Sequence, residues 1–237
     1  VAATPDGLAI AIETSSRQGS VALVVDGVVI ADETFPHGLQ HAAGLLPIID
    51  RLLRSHGRSP TDLQQVYLSA GPGSFTGLRI GVTLAKTIAF ASPAVKLVAV
   101  PTASVLAENA PADARHLIVV LDAKRGQIFT ARFERDAAGV WTVREPTRLD
   151  TLSAMLDRAP RPVHLLGEGI PYHRQHIPVS SDIILTDEAD WRPRAQVVAR
   201  IGTTMAAAGE FADPQTLTPI YIRKPEAEEK WELANPR

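Results

Sequence analysis

The sequence predicts an α/β protein of two lobes, each built from a strand-strand-strand-helix-strand-helix-strand-helix unit, with the second lobe reduced. Three observations carry that prediction. Short apolar runs alternate with helical patterns along the chain. The same order of elements occurs twice. Residues also recur in phase: Ile12-Glu13 followed by Arg17 and Gly19 matches Leu121-Asp122 followed by Arg125 and Gly126, and Leu68 to Gly73 matches Leu165 to Gly169. A repeat at half the chain length is too long for a solenoid and fits two related lobes. The break falls near Asn109 to Arg115, where Pro111 and polar residues interrupt the pattern. The expected division is a first lobe over 1–110, a smaller second lobe over 111–223 and a polar, mobile tail over 224–237.

Each element has a local reason. Leu8 to Glu13 is an apolar run closed by an acid, and Ser20 to Val25 comes after a small polar stretch; both read as strands. Asp26-Gly27 stands between Leu23-Val24-Val25 and Val28-Val29-Ile30, and this pair tolerates the positive φ angles of a two-residue hairpin turn. From His41 to Leu53, apolar residues at Leu45, Leu46, Ile49, Leu52 and Leu53 keep helical spacing, with Gly57 and Pro60 as stop signals. Val66 to Ala70 reads as strand, Gly71 to Gly77 as a glycine-rich loop, Leu78 to Ala91 as helix, Leu97 to Val100 as strand and Thr102 to Asn109 as helix. The second half has strands near Leu117 to Leu121, Ile128 to Phe133 and Val140 to Val143, then a helix over Leu152 to Arg158. A strand at Val163 to Leu166, a short helix near Tyr172, a strand at Ile183 to Leu185 and a helix from Arg194 to Ala208, stopped by Gly209, complete it.

Composition narrows the chemistry. Of 237 residues, 45% are hydrophobic and 21% charged, as in an ordinary folded domain. The 24 Lys+Arg nearly balance the 26 Asp+Glu, so no global basic field draws the chain onto nucleic acid or anionic lipid, and any RNA role is local or indirect. Without cysteine there is no disulfide scaffold, thiolate zinc site, iron–sulfur cluster or thiol nucleophile, which fits a reducing cytoplasm. No apolar run approaches the roughly 18 to 20 residues that span a bilayer. The opening Val-Ala-Ala-Thr-Pro-Asp-Gly lacks the charged-then-apolar layout of a leader.

Gly71-Pro-Gly-Ser-Phe-Thr-Gly-Leu-Arg-Ile-Gly81 is the sharpest local feature, and its spacing fails the familiar phosphate and nucleophile motifs. A P-loop anchored on Gly71 needs glycine where Thr76 stands, and the residue after Gly77, where a lysine belongs, is Leu78. A dinucleotide fingerprint on Gly71 and Gly73 needs glycine at Thr76 as well. Pro72 occupies the first glycine position of a Gly-x-Ser-x-Gly elbow through Ser74. The next helix carries Gly77, Gly81, Ala85 and Ala89 at intervals of one turn, a stripe that another helix can approach closely. Its remaining surface is largely apolar too, which reads either as a wholly buried helix or, favoured for an outer layer packed on a sheet, as half of an interface. His37 with His41, and His173 with His176, have helix-face spacing but no third ligand nearby, so all four are expected to be exposed side chains and no metal site is expected.

A strand, an acid, a small polar loop and a hairpin in each lobe resemble the actin, hexokinase and sugar-kinase superfamily. That resemblance implies an actin-like, ribonuclease H-like fold with phosphate and metal held in the interlobe cleft, and it makes Glu13 and Asp122 the weak candidates for nucleotide binding. More specifically, Leu8-Ala-Ile-Ala-Ile-Glu-Thr-Ser-Ser, His41-Ala-Ala-Gly-Leu-Leu-Pro, the glycine-loop block through Val82, and Pro219-Ile-Tyr-Ile-Arg together resemble the TsaB (YeaZ) family. The resemblance implies a non-catalytic subunit of the bacterial machinery that makes threonylcarbamoyladenosine beside the anticodon of tRNA. It implies a TsaD-type catalytic partner, a TsaE-type ATPase, a homodimer when isolated, tRNA contact within the complex, no cofactor of its own and no membrane. The implied partner surface comprises Gly73, Phe75, Thr76, Gly77, Arg79, Ile80, Gly81, Leu84, Ala85, Ile88 and Ala89, with His41 and Leu45 from the preceding helix. In TsaD the strand after the glycine-loop helix runs into Asn-His-x-x-x-His, whose histidines hold the catalytic metal; Thr102 and Leu106 stand at those positions here. The family also usually carries Asp where this chain has Glu13. Rival readings are an autonomous ATP-dependent kinase using Glu13 and Asp122, a metallopeptidase homologue, and a structural homodimer. Arg192, Arg194, Arg223 and Lys224 are candidates for phosphate contacts in an assembly.

Overall fold

Each half of the chain makes one five-stranded mixed sheet, and the two sheets share one strand order. A computed structural model describes residues 7–36, 40–223 and 231. The first half contributes β1 (Leu8–Glu13), β2 (Gln18–Val25), β3 (Val28–Pro36), α1 (Gln40–Ser55), β4 (Leu63–Gly71), α2 (Phe75–Ala91), β5 (Lys96–Pro101) and α3 (Thr102–Ala107). The second contributes β6 (His116–Asp122), β7 (Ile128–Arg135), β8 (Trp141–Asp150), α4 (Leu152–Arg158), β9 (Val163–Leu166), α5 (Ile170–His173), β10 (Ile183–Leu185) and α6 (Ala195–Ala207). The first sheet runs β3-β2-β1-β4-β5 and the second β8-β7-β6-β9-β10, so each unit is an antiparallel meander extended by two parallel strands. The repeated order of elements is thus a repeated topology.

Local chemistry sets several of these elements. Asp26 and Gly27 both take positive φ, 51° and 78°, as the twist of a two-residue hairpin requires. β1 is buried along its whole length, so it reads as an unbroken apolar run rather than an alternating one. β8 extends to Asp150, well past the expected Val140 to Val143. Pro146 is tolerated within it because β8 lies at the sheet edge, where a missing amide breaks no ladder.

The first sheet is covered on both faces. On one face, Leu45, Ile49, Leu52 and Leu53 of α1 and Val82, Ala85 and Ala89 of α2 pack over Ile10, Ile12, Leu23 and Leu68. On the other, Ala9, Ala11, Tyr67 and Val98 meet Ala195, Val198, Ala199 and Ala206 of α6. A Cβ on Gly202 would lie 2.5 Å from the Tyr67 ring, so this glycine lets α6 sit close to the sheet. The helix at 195–207, within the stretch 111–223 expected as the second lobe, therefore covers the first sheet. Reciprocally, Ala103, Leu106 and Ala107 of α3 join the core of the second sheet with Leu117, Val119, Met155 and Leu165. Each unit sends its last helix to the other. Among the described residues no helix is long and apolar enough to cross a membrane.

Candidate functional site

The glycine loop is seated by contacts to two distant parts of the chain. β4 ends at Gly71, whose φ of 114° suits glycine and whose amide donates to Thr102 Oγ1 at 3.2 Å. The Ser74 amide donates to the Ser15 carbonyl at 2.6 Å, and Ser74 Oγ accepts from the Gly77 amide at 3.3 Å, capping α2. That cap starts α2 at Phe75 rather than at the expected Leu78. A Cβ on Gly73 would stand 2.3 Å from the Ser15 carbonyl oxygen, and one on Gly77 only 1.9 Å from that of Thr14. At Gly81 it would stand 2.6 Å from Thr14 Oγ1. These glycines let α2 lie against the end of β1.

The small-residue stripe is therefore turned inward, toward the chain's own first sheet. Gly77, Gly81, Ala85 and Ala89 are buried against the chain's own sheet, and Leu84 and Leu45 are buried with them. Of the remaining expected interface residues, Phe75, Thr76 and Arg79 are exposed, while Gly73, Ile80 and Ile88 are half-buried. The side chain of His41 and the whole of His37 lie outside the described residues, as do Lys224 and, apart from Trp231, the stretch 224–237 expected as a tail. The open face of α2 instead carries Thr76, Arg79, Thr83, Thr87 and Phe90, the last 88% exposed. Two apolar faces on α2 suggest an interface from sequence; one lies on the sheet and α1, and a strap of chain from Phe211 to Arg223 borders another.

In sequence that strap shows only as the motif Pro219-Ile-Tyr-Ile-Arg, and its position depends on contacts far apart along the chain. Ala212 bridges to Leu97, Leu217 is buried with the α1–α2 core, and Lys86 Nζ donates to the carbonyls of Gln215 and Leu217 at 3.3 and 3.0 Å. The Ile220 amide donates to the Ala70 carbonyl at 2.7 Å. Tyr221 then stacks at 5.3 Å from Phe75 and accepts from Arg79 Nε at 3.0 Å, while the Arg79 guanidinium lies 3.9 Å from the Phe75 ring centre. Arg223 crosses to the second lobe, donating to the Ala123 carbonyl at 2.5 Å and to Gln127 Oε1.

The two candidate acids occupy equivalent strand ends but very different surroundings. Glu13 is fully buried: Oε1 accepts from the Ser15 amide and hydroxyl, each at 2.5 Å, and Oε2 accepts from Ser69 Oγ. Burial pushes its carboxyl above the usual range, against the lowering effect of those hydrogen bonds. Sealed in this way, Glu13 has no open oxygen for a metal-bound water. Asp122 lies at the mouth of the cleft, where its carboxylate pairs with Lys124 Nζ at 2.6 Å and lies 3.4 Å from His173 Nε2. Partial burial acts to raise its pKa, but the Lys124 ammonium and amide and the His173 ring outweigh this and hold it low. His173 is buried, unlike the exposed side chain expected, while His176 is exposed. Thr102 is buried with its hydroxyl taken by the glycine loop, and Leu106 lies in the second core. Among the described residues no group of three or more His, Asp or Glu has the arrangement to hold a metal ion.

Arg192 and Arg194 are both tied to neighbours: Arg192 lies 3.5 Å from Glu168, and Arg194 donates to Asn109 Oδ1 at 3.2 Å. Tyr172, which the sequence does not single out, stands between the lobes. It accepts from the Arg17 guanidinium, and its ring is flanked by Arg17 and Lys124. The signal available in sequence was a lone tyrosine between Pro171 and His173-Arg174, a pattern common on any surface.

With this geometry in place, the chain was compared with known proteins. The family model described as TsaD, tRNA N6-adenosine threonylcarbamoyltransferase, matches residues 37–231. The tRNA threonylcarbamoyladenosine biosynthesis protein TsaB of Bacillus subtilis is 33% identical over 229 residues, covering 94% of this chain and 96% of that protein. The protein of the same description from Escherichia coli is 28% identical over 222 residues, covering 90% and 94%. YeaZ from Pseudomonas aeruginosa superposes with a TM-score of 0.76 at 22% identity, over 91% of this chain and 99% of that one. The shared fold is the two-lobed, actin-like arrangement.

Proposed function

We propose that this chain, which belongs to the TsaB (YeaZ) family, serves in making threonylcarbamoyladenosine in tRNA as a non-catalytic subunit that binds and activates a TsaD-type catalytic partner. The observation that carries the reading is the fate of the chemistry-bearing positions. Glu13 is buried and closed by Ser15 and Ser69, the Thr102 hydroxyl accepts from the Gly71 amide, and Leu106 fills a core. A site built for phosphoryl or acyl transfer keeps at least one such group open to its substrate. In this chain Glu13 ties the turn after β1 to β4, Thr102 anchors the start of the glycine loop, and Leu106 packs in the second core instead.

What the seated α2 offers outward is the ridge of Thr76, Arg79, Thr83, Thr87 and Phe90, continued by Phe75 and Tyr221. Aromatic and arginine side chains on a rigid helix are the usual anchors of a protein interface. We assign this ridge to the TsaD-type partner, and to a second copy of the chain when that partner is absent. The TsaE-type ATPase joins the resulting assembly, in a cytoplasmic setting. Partner binding in this scheme biases the catalytic subunit toward its active arrangement.

The test is threonylcarbamoyl transfer to tRNA by the TsaD-type enzyme and TsaE-type ATPase of the same organism, with and without this chain. Strict dependence is expected. Full activity in its absence removes the activating role.

A further inference from the structure

Three loops from both lobes converge on one exposed ring. Tyr172, 48% exposed, sits in α5 of the second lobe. The β1–β2 turn of the first lobe brings Arg17, whose guanidinium donates to the Tyr172 hydroxyl and lies 5.7 Å from the ring centre. The β6–β7 turn brings Lys124, whose ammonium lies 5.2 Å from the same centre. Arg192 borders the same mouth, donating to Gln18 Oε1 at 3.4 Å. The nearby acids are engaged: Asp122 with Lys124, and Glu168 with Arg192. Among the described residues no carboxylate pairs with Arg17, so its full positive charge stands beside a half-exposed aromatic ring in a chain whose net charge is −2.

An exposed ring flanked by cations suits a ligand that carries both a π-face and closely spaced negative charges. A nucleoside triphosphate has these too, but its magnesium needs an open carboxylate, and here Glu13 is sealed and Asp122 is held by Lys124. An unpaired nucleic-acid strand needs no such acid, since stacking and backbone phosphates suffice. Resting on the reading of the chain as part of a tRNA-modifying assembly, we infer that the mouth of the interlobe cleft binds an unpaired RNA segment, with one base stacked on Tyr172 and adjacent phosphates on Arg17 and Lys124. The contact is local, as the balanced overall charge demands.

The experiment is fluorescence anisotropy of a labelled, unstructured RNA of about 12 nucleotides with the full chain at about 50 mM salt. Arg17→Ala and Tyr172→Ala are each expected to weaken binding roughly tenfold, and Arg17→Ala to lower the salt slope by about one. Tyr172→Phe, which keeps the ring, is expected to stay within about threefold of wild type. Arg51→Ala, a cation on α1 paired with Glu33, is expected to leave binding unchanged. Equal affinity across all the variants, or no binding by the wild type, overturns the inference. So does full displacement of the RNA by equimolar ATP, which assigns the mouth to free nucleotide, or by polyglutamate, which assigns it to an acidic protein. The two readings separate cleanly. Transfer that depends on the chain while RNA binding ignores Arg17 and Tyr172 removes the inference alone, and the converse pattern removes the activating role alone.

Discussion

The two lobes repeat one topology and differ in what they do with its strand end. In the first, the acid that ends β1 is buried and the glycine loop is pressed onto the turn beside it; in the second, Asp122 stays partly exposed beside Lys124 and His173. The glycines differ in partner as well. Gly73 and Gly77 rest on the Ser15 and Thr14 carbonyls, while Gly167 and Gly169 rest on Val120 and Asp122 of their own β6. The helices after the two loops differ most: α2 has 17 residues and α5 only 4. The long helix needs a firm seat to present a face outward, and the first-lobe glycines and serines make that seat. The short one leaves room for Tyr172 at the mouth. One lobe thus seats a long helix firmly against its sheet, and the other leaves a half-exposed ring beside its strand end.

The sharpest way to break this comparison is to put side chains where the seat requires none. Gly77→Val drives a Cβ into the Thr14 backbone, which cannot move as a flexible side chain would, and is expected to destabilise the fold by about 3 kcal/mol or more. Ala85→Trp, at a position with no exposure, is expected to do comparable damage, whereas Thr87→Trp on the open face stays within about 0.5 kcal/mol. Gly126→Ala, at φ 73° in open space, costs about 1 kcal/mol from backbone strain alone. Urea unfolding midpoints order these variants. A Gly77→Val chain as stable as wild type removes the seat.

A smaller effect probes the outward face. Phe90→Asp is expected to leave the unfolding midpoint unchanged and to weaken binding of the TsaD-type partner about tenfold, which corresponds to about 1.4 kcal/mol. Titration calorimetry reads this directly. Unaltered affinity moves the interface off the C-terminal half of α2.

How much of this was legible in the sequence depends on the range of the interactions. The Asp26-Gly27 turn and the helix stop at Gly209 were readable because backbone sterics decide them within a few residues. The duplicated order was readable because acid and glycines recur in phase. The start of α2 was not readable, because the glycines on either side of its Ser74 cap make the segment look like one loop. The direction of the small-residue stripe was not readable, since spacing shows that residues share a face and Thr14 and Ile12 decide what that face meets. The burial of Glu13 was hidden for the same reason: Ser69, which closes it, comes 56 residues later. The crossing of α6 to the first sheet leaves no local mark at all.

The lobes also differ in the sign of their response to pH. The folded-state pKa of Glu13 is raised above its ordinary 4.5, so the native chain holds its proton longer than the unfolded chain does. Its contribution is fully present below about pH 4.5 and is lost as pH rises through the folded value. Asp122 is lowered from 3.8, so its contribution is present above that value and is lost as pH falls through the depressed one. Lys124 is 76% exposed, which screens the pair and keeps the second effect small. Unfolding of wild type, Glu13→Gln and Asp122→Asn across pH 3 to 8 separates the two windows. Glu13→Gln is expected to gain on wild type as pH rises above about 4.5, while the deficit of Asp122→Asn is expected to shrink only below about pH 4. A Glu13→Gln deficit that grows with pH instead means that the carboxylate is held ionised. The first-lobe strand end would then carry an ionised acid, as Asp122 is, and the contrast between the lobes would collapse.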